Sequence, residues 1–247
     1  MTDVLTGLHW ERTVSTSTFD RPGARAYCDG LTLGGLTGWR LPTVIELESI
    51  VSYGAHSPAV DTAAFPNTPA DFFWSASANS GDANRGWVVS FDDGYASPAS
   101  FWVDRWQVRC VQSEQAPSSD AGAPPGRFST TEVTVFDTFT SLTWERTPDQ
   151  ATYTLAGANS HCQSLDLGGG GWRLPRLKEL QSLVDVRRPI SPALDGTAFI
   201  NPRAVVVWSS TGRANAPGGV WAVDFGSGTS VSTFQPSTPG VSARCVR

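Results

Sequence analysis

The chain has 247 residues, of which 40% are hydrophobic and only 17% charged, with a formal net charge of -5. That much apolar material is enough to build real cores, while the mild charge and the lack of a Lys/Arg cluster exclude nucleic acid and anionic membrane surfaces as partners. No run approaches the roughly 18 apolar residues of a membrane span, so membrane insertion is excluded too, and the start MTDVLTGLHW lacks the basic and apolar regions of a secretory signal.

The first marker in chain order is LHWERT, at Leu8 to Thr13. A helix is predicted over about Pro22 to Leu31, carrying Cys28 against the core. After LTLGG comes GWRLPTVIELESIV, Gly38 to Val51. Pro42 suits a helix start, Thr43 and Glu46 have capping-box spacing, and Val44, Leu47, Ile50 and Val51 share one helical face. Trp39 and Arg40 read as architectural, a packing indole and a guanidinium bonded to backbone carbonyls or to Glu46. Asp61, in PAVD ahead of Phe65, reads as a turn or cap carboxylate. WSAS follows at Trp74, and GWVVSF then alternates, which places Trp87, Val89 and Phe91 on one side of a strand. WQVRCV alternates likewise, grouping Trp106, Val108 and Cys110.

QSEQAPSSDAGAPPGR, from Gln112 to Arg127, has no large apolar residue and reads as an exposed, partly extended linker. Beyond it the run STTEVTVFD, Ser129 to Asp137, alternates like a strand and has no counterpart before Asp3, as if the first domain lacks a strand or the chain was cut from a longer protein. Every earlier marker then returns: Trp144 in LTWERT, a helix over about Leu155 to Leu165 with Cys162, LDLGG, GWRLPRLKELQSLV, Asp195 in PALD before Phe199, Trp208 in WSST, VWAVDF and ARCV. A period this long is a duplicated domain rather than a solenoid repeat. The domains are 1–112 and 128–247, with 113–127 as the linker. In the second copy Arg176 replaces the capping threonine, so the capping box is expected to be lost, while Leu177, Leu180, Leu183 and Val184 keep the apolar stripe.

Each copy has one cysteine early and one almost at its end, and none lies in a CxxC pair. Pairing Cys28 with Cys110 and Cys162 with Cys245 is the connectivity that makes each copy self-contained, and closing loops of this size contributes roughly 4 to 5 kcal/mol each on the chain-entropy model. Disulfides favour an extracellular or cell-surface location over four buried thiols in a cytosolic protein. Two helices followed by antiparallel strands, with the last strand tied to the first helix, make an α+β domain.

The set LTWER, a cysteine-bearing helix, LGG, WRLP followed by EL, WSS or WSA, W-x-V-x-F and a terminal RCV resembles the bacterial domain family typified by the C-terminal domain of the Legionella collagen-like adhesin. The resemblance covers both copies nearly whole. It implies a C-type lectin-like fold, distantly akin to formylglycine-generating enzymes and to retroelement-diversified variable proteins. It further implies an extracellular module that binds glycans, glycosaminoglycans or surface proteins. Formylglycine-generating chemistry uses a pair of active-site cysteines, and here each domain's two are taken by its bridge, so no catalytic residue and no cofactor is assigned. The other alternative is a packing module of a larger surface protein.

The copies disagree most between W-x-V-x-F and RCV, and in such folds the loops of this region form the recognition face. In the first copy Tyr95, Phe101, Trp102, Asp104 and Arg105 would form an aromatic platform with polar edges, with Asn79, Asp82, Asn84 and Arg85 of a second variable loop at its rim. An alternative leaves Phe101 and Trp102 as a plug under a long loop. The second copy offers Thr229, Ser232, Phe234 and Gln235. Asp92 and Asp93 carry oxygens that calcium could use, but a tight Asp-Asp-Gly turn explains them equally well. The EPN or QPD tripeptide with WND that marks sugar-binding calcium sites in animal C-type lectins is absent, so any glycan binding is expected to be calcium-independent. His9, His56 and His161 are scattered and read as ordinary surface or edge residues.

Overall fold

The structure, a computed structural model, describes residues 1–4, 6–101, 103–113, 126–188, 191–203, 205–237 and 240–247, without the side chains of 233 and 234. The chain divides into two compact units, Met1–Asp120 and Ala121–Arg247. Most of the expected linker falls outside the described residues.

The first unit runs β1 (His9–Trp10), α1 (Arg21–Asp29), α2 (Val44–Ser49), β2 (Phe72–Ala78), β3 (Arg85–Ser90), β4 (Ala96–Ser100) and β5 (Val111–Gln112). Helix α1 begins where the Asp20 side chain accepts the Gly23 N–H at 2.8 Å and proline occupies the first turn, a position that needs no amide donor. Helix α2 begins at a full capping box: Thr43 Oγ1 accepts the Glu46 N–H at 3.2 Å, and Glu46 Oε2 accepts the Thr43 N–H at 2.7 Å. Val44, Leu47 and Val51 are buried as the periodicity predicts, whereas Ile50, at the C-cap where the helix ends, is only half-buried.

Strands β2, β3 and β4 form an antiparallel sheet with β3 in the middle, and β1 pairs with β5. The expectation of a one-sided β3 is corrected. Val88 is buried with Trp74, Ala99 and the Cys28–Cys110 bridge, while Trp87 and Val89 are also covered. A central strand covered on both faces loses its alternation. Nor is WQVRCV one regular strand. Trp106 bridges Phe19 in antiparallel fashion, Gln107 bridges Phe73 in parallel, and the chain reaches β1 only at Val111. Switching partners every few residues buries every side chain from Gln107 to Val111.

The second unit runs β6 (Phe128–Thr130), β7 (Thr134–Asp137), β8 (Leu142–Glu145), α3 (Leu155–Ser164), α4 (Leu177–Gln181), β9 (Val206–Gly212), β10 (Val220–Asp224) and β11 (Thr229–Phe234). The run STTEVTVFD supplies β7, and β6-β7-β8 form an antiparallel sheet; in the first unit the matching position is an isolated bridge from Thr2 to His9. Arg127 ties this hairpin down with two bonds to the buried Asp137 carboxylate, at 3.0 and 2.6 Å, and one to Ser182 O at 2.8 Å. At α4 half of the capping box survives. Glu179 Oε2 accepts the Arg176 N–H at 2.7 Å, but a guanidinium has no acceptor to offer the Glu179 amide.

Both units close on the same junction. The bridges are Cys28–Cys110 and Cys162–Cys245, each joining the first helix of its unit to the terminal segment. Beside them Glu11 Oε2 accepts the Cys110 N–H at 2.9 Å and Glu145 Oε2 the Cys245 N–H at 3.2 Å. Arg109 donates to the Glu11 and Arg12 carbonyls at 2.7 and 3.1 Å, and Arg244 to the Glu145 carbonyl at 2.8 Å. Each guanidinium lies over a phenyl ring, Phe65 at 4.6 Å or Phe199 at 4.8 Å.

Replacing Arg109 by alanine strips a wholly buried donor from two carbonyls and leaves Glu11 without its compensating cation; unfolding by denaturant is expected to show a loss on the order of 3–5 kcal/mol. Removing the Cys162–Cys245 pair by alanine substitution is expected to cost the second unit about 2–5 kcal/mol, read from hydrogen exchange of its peptides.

Candidate functional site

The repeated GWRLP motif proves to be scaffolding. Trp39 is buried and donates its indole N–H to Leu36 O at 3.0 Å, and Trp172 does the same to Gly169 O at 2.9 Å. Arg40 grips Glu46 with two bonds of 2.9 and 2.8 Å, and Arg173 grips Glu179 at 2.8 and 2.7 Å. Each pair locks the segment before α2 or α4 onto its first turn. Asp61 and Asp195 cap turns: Asp61 Oδ1 accepts the Ala63 and Ala64 amides at 2.9 and 3.3 Å, and Asp195 Oδ1 those of Thr197 and Ala198 at 2.7 and 3.2 Å.

In the first unit the two variable loops meet at the end of the β3–β4 ladder, where Arg85 pairs with Ser100 and the Phe101 N–H donates to Asn84 O at 2.9 Å. Arg85 and Asn84 are exposed, and Arg85 also donates to Pro98 O at 2.9 Å. Asn79 and Asp82 spend their carbonyl and carboxylate oxygens on their own loop, accepting the Gly81 N–H at 2.8 Å and the Asn84 N–H at 2.9 Å. Asp104 accepts the Ser100 N–H at 2.6 Å, Arg105 is exposed and donates to Thr18 O at 2.9 Å, and Tyr95 is half-buried. Trp102 lies outside the described residues.

Phe101 is not on an open platform. It packs edge-on against Trp74 at 6.4 Å, beneath the Arg21 guanidinium at 4.4 Å. Arg21 is held there by Ser75 O at 3.0 Å and by Ala76 O. Burial, together with the nearby Arg25 charge, pulls the Arg21 pKa down to about 10. This stack explains Gly86. A Cβ there would stand 2.3 Å from Phe101 Cε1. In the second copy, where neither Arg21 nor Phe101 has a counterpart of its type, the aligned residue is Val220.

The Asp92 and Asp93 carboxylates serve the turn. Asp92 Oδ1 accepts the Ser57 hydroxyl at 2.5 Å, Asp93 Oδ1 accepts the Tyr95 N–H at 3.1 Å, and Gly94 takes a φ of 94°. In the second unit Thr229 Oγ1 shares a 2.8 Å hydrogen bond with Ser227 Oγ, Ser232 is half-buried and Gln235 exposed. The Phe234 side chain lies outside the description.

Sequence reasoning missed a cluster on α3. His161 is not an ordinary surface residue. Its side chain is 17% exposed and stacks on Tyr153 at 4.9 Å, with Nδ1 3.1 Å from the Tyr153 hydroxyl and 3.8 Å from Asp149. The Tyr153 hydroxyl donates to Asp149 Oδ2 at 2.5 Å. In the first unit the aligned pair is Phe19 and Tyr27, stacked at 5.3 Å, with the Tyr27 hydroxyl donating to Glu11 at 2.6 Å. The signal was available in the repeat, as a Phe/Tyr pair turned into a Tyr/His pair. Ligand-type atoms of Glu145, His161 and Cys245 lie within 4.8 Å of one another, but Cys245 is in a disulfide and offers no thiolate for a metal. His9 shares a 2.9 Å hydrogen bond with Thr2 on the exposed edge of β1.

Two copies of a disulfide-closed α+β domain thus share one frame and differ in the surface loops carried by it. The chain belongs to the Lcl C-terminal domain family, which matches it twice, over residues 1–112 and 133–247. No curated protein matches it.

Burial, the hydrogen bond to Asp149 and the charges of Asp149 and Glu145 raise the Tyr153 pKa to about 12. A folded pKa above the ordinary value near 10 stabilises the fold fully below that value, and the contribution is lost as pH rises through about 12. Spectrophotometric titration of Asp149→Asn should show one tyrosine ionising at lower pH than in the native chain. Gly86→Ala must displace Phe101 and is expected to lower stability by about 1–3 kcal/mol, measured by thermal or denaturant unfolding.

Proposed function

We propose that the chain is an extracellular or surface-displayed binding module. On this reading each domain is C-type lectin-like and recognises a glycan, a glycosaminoglycan or a surface protein through the loops ahead of its last strand, without covalent chemistry. One contrast carries the reading. The junction, the bridges and the GWRLP clamp repeat residue for residue, whereas 79–85 and 101–105 in the first copy have no match in the second. A frame held fixed while the loops diverge is what two specificities on one scaffold require. Membership of the family supports an adhesin-like role. The bridges fit an oxidising compartment, and no helix among the described residues is long and apolar enough to cross a membrane. With Phe101 serving as a plug, recognition in the first unit falls to the exposed rim: Asn84, Arg85, Val103 at 76% exposure, and Arg105. Both cysteines of each unit are in its bridge, which supports binding over formylglycine-type chemistry.

A second reading, a packing module within a larger surface protein, is favoured by Phe136 and Phe139, which are 42% and 72% exposed on and beside β7.

The test is binding of the whole chain to a glycan and glycosaminoglycan array, in calcium and again in chelator, beside Trp102→Ala and Arg105→Ala. Binding that survives chelator and falls severalfold in either variant is the expected outcome. Silence on the array with stable self-association would favour packing.

A further inference from the structure

Every bridge is closed from two thiols, so Cys162 and Cys245 pass through a form in which both sulfurs are free. Their neighbours are held in place in that form too, because the terminal segment is tied to β8 without the sulfurs. The Glu145 N–H donates to Cys245 O at 3.0 Å, the Cys245 N–H to Glu145 Oε2 at 3.2 Å, and Thr143 and Arg247 exchange backbone bonds of 2.8 and 2.9 Å. Cys162 follows His161 on α3, and ligand-type atoms of Glu145, His161 and Cys245 lie within 4.8 Å of one another.

His161 is the informative member. The Tyr153 hydroxyl gives its one proton to Asp149 Oδ2 at 2.5 Å, so toward His161 Nδ1, 3.1 Å away, its oxygen acts as the acceptor. In the neutral ring Nδ1 therefore carries the proton, and Nε2 keeps a lone pair. Nε2 is buried and has no hydrogen-bond partner among the described residues. A histidine anchored at one nitrogen through a hydroxyl and a carboxylate, with a bare lone pair at the other and a carboxylate and a sulfur close by, has the arrangement of a metal ligand. The first unit differs here. Tyr27 stands where His161 does, and its hydroxyl donates to Glu11 Oε1 at 2.6 Å.

We propose that, before the Cys162–Cys245 bridge is closed, the second unit holds a zinc ion on Cys162, Cys245, His161 and Glu145. Two sulfurs, an imidazole nitrogen and a carboxylate oxygen form a tetrahedral donor set suited to zinc. Two thiolates each about 2.3 Å from one ion stand roughly 3.8 Å apart, a spread that side-chain rotation reaches from α-carbons 5.4 Å apart. Binding displaces one proton from each thiol to solvent. The two thiolates and the Glu145 carboxylate are then balanced by the divalent ion and by Arg244, which donates to Glu145 O at 2.8 Å. Closure of the bridge by a disulfide oxidant expels the ion: the bond between the two Sγ atoms forms, the oxidant's own S–S bond breaks, and the electron pair leaves on its two thiolates. The site uses none of the loop residues assigned to recognition above, and stands or falls separately from that reading.

The test uses the whole chain, reduced with a phosphine without oxygen, freed of reductant, and titrated with cobalt(II) and then with zinc(II) in competition. The expected result is a saturable visible absorption of tetrahedral cobalt with thiolate-to-metal charge transfer, displaced by zinc. His161→Tyr, which places the residue of the first unit, removes a ligand and should weaken binding about a hundredfold or more. Tyr153→Phe, again the residue of the first unit, frees the Nδ1 side of the ring and should weaken it about tenfold, which keeps the test open if the other variant fails to fold. The Cys28 and Cys110 thiols are present in every variant, so binding that belongs to them survives both changes. Oxidised glutathione added to the zinc-loaded chain should release one ion for each Cys162–Cys245 bridge found by peptide mapping. A reduced chain that takes up no cobalt, an affinity unchanged in both variants, or zinc retained after the bridge has formed would overturn the proposal.

Discussion

A buried carboxylate that accepts the amide of a half-cystine, beside a buried arginine stacked on phenylalanine, is the constraint on which each unit depends. Neither charge is cheap to bury. Burial pushes the Glu11 and Glu145 carboxyls up despite the Cys110 and Cys245 amides and the arginine charges, and it pulls Arg109 and Arg244 down to about 10. The arrangement persists because each group finds directed partners: a backbone amide for the acid, backbone carbonyls and a ring face for the base. Its geometric effect is to hold the WER segment, the terminal RCV segment and the cysteine-bearing helix at one point. Everything between is then a set of excursions that start and end at fixed positions.

Fixed ends explain why the loops can differ without cost to the frame. In the first unit the excursion after β4 returns a phenylalanine to the core, under Arg21 and against a glycine that leaves it room. In the second unit that glycine is Val220, and the core is completed by other means. The same trade occurs around the junction itself. Where Phe73 and Thr68 complete the shell of Arg109, the aligned residues of the second unit are Val207 and Pro202. Divergence between copies has thus reached the layer beside the buried arginine as well as the outer loops.

The duplication, the pairing of cysteines, the helices behind GWRLP and the clamp of Arg40 on Glu46 were legible in the amino-acid sequence. Each rests on local spacing or on the repeat, and local rules act wherever their residues occur. What stayed hidden were features made by residues far apart in the chain. The alternation in GWVVSF predicted one buried side for β3, but Val88 is buried as well, because the helix and bridge cover the second face. The composition of the first variable loop promised an aromatic platform, yet Phe101 points inward onto Trp74. Asn79, Asp82, Asp92 and Asp93 offered ligand atoms in the sequence and spend them on their own turns or on Ser57.

The sequence by itself therefore determined how many domains there are, where each closes and which helices carry the frame. Only the tertiary structure decided which aromatic groups face solvent, that His161 joins Tyr153 and Asp149, and that among the described residues only one of two equivalent arginines stacks on two rings. The physical reason is that exposure and partnership belong to the packed environment of a residue. Identical letters, such as the arginines of the two RCV segments, acquire different chemistry when a distant phenylalanine becomes valine.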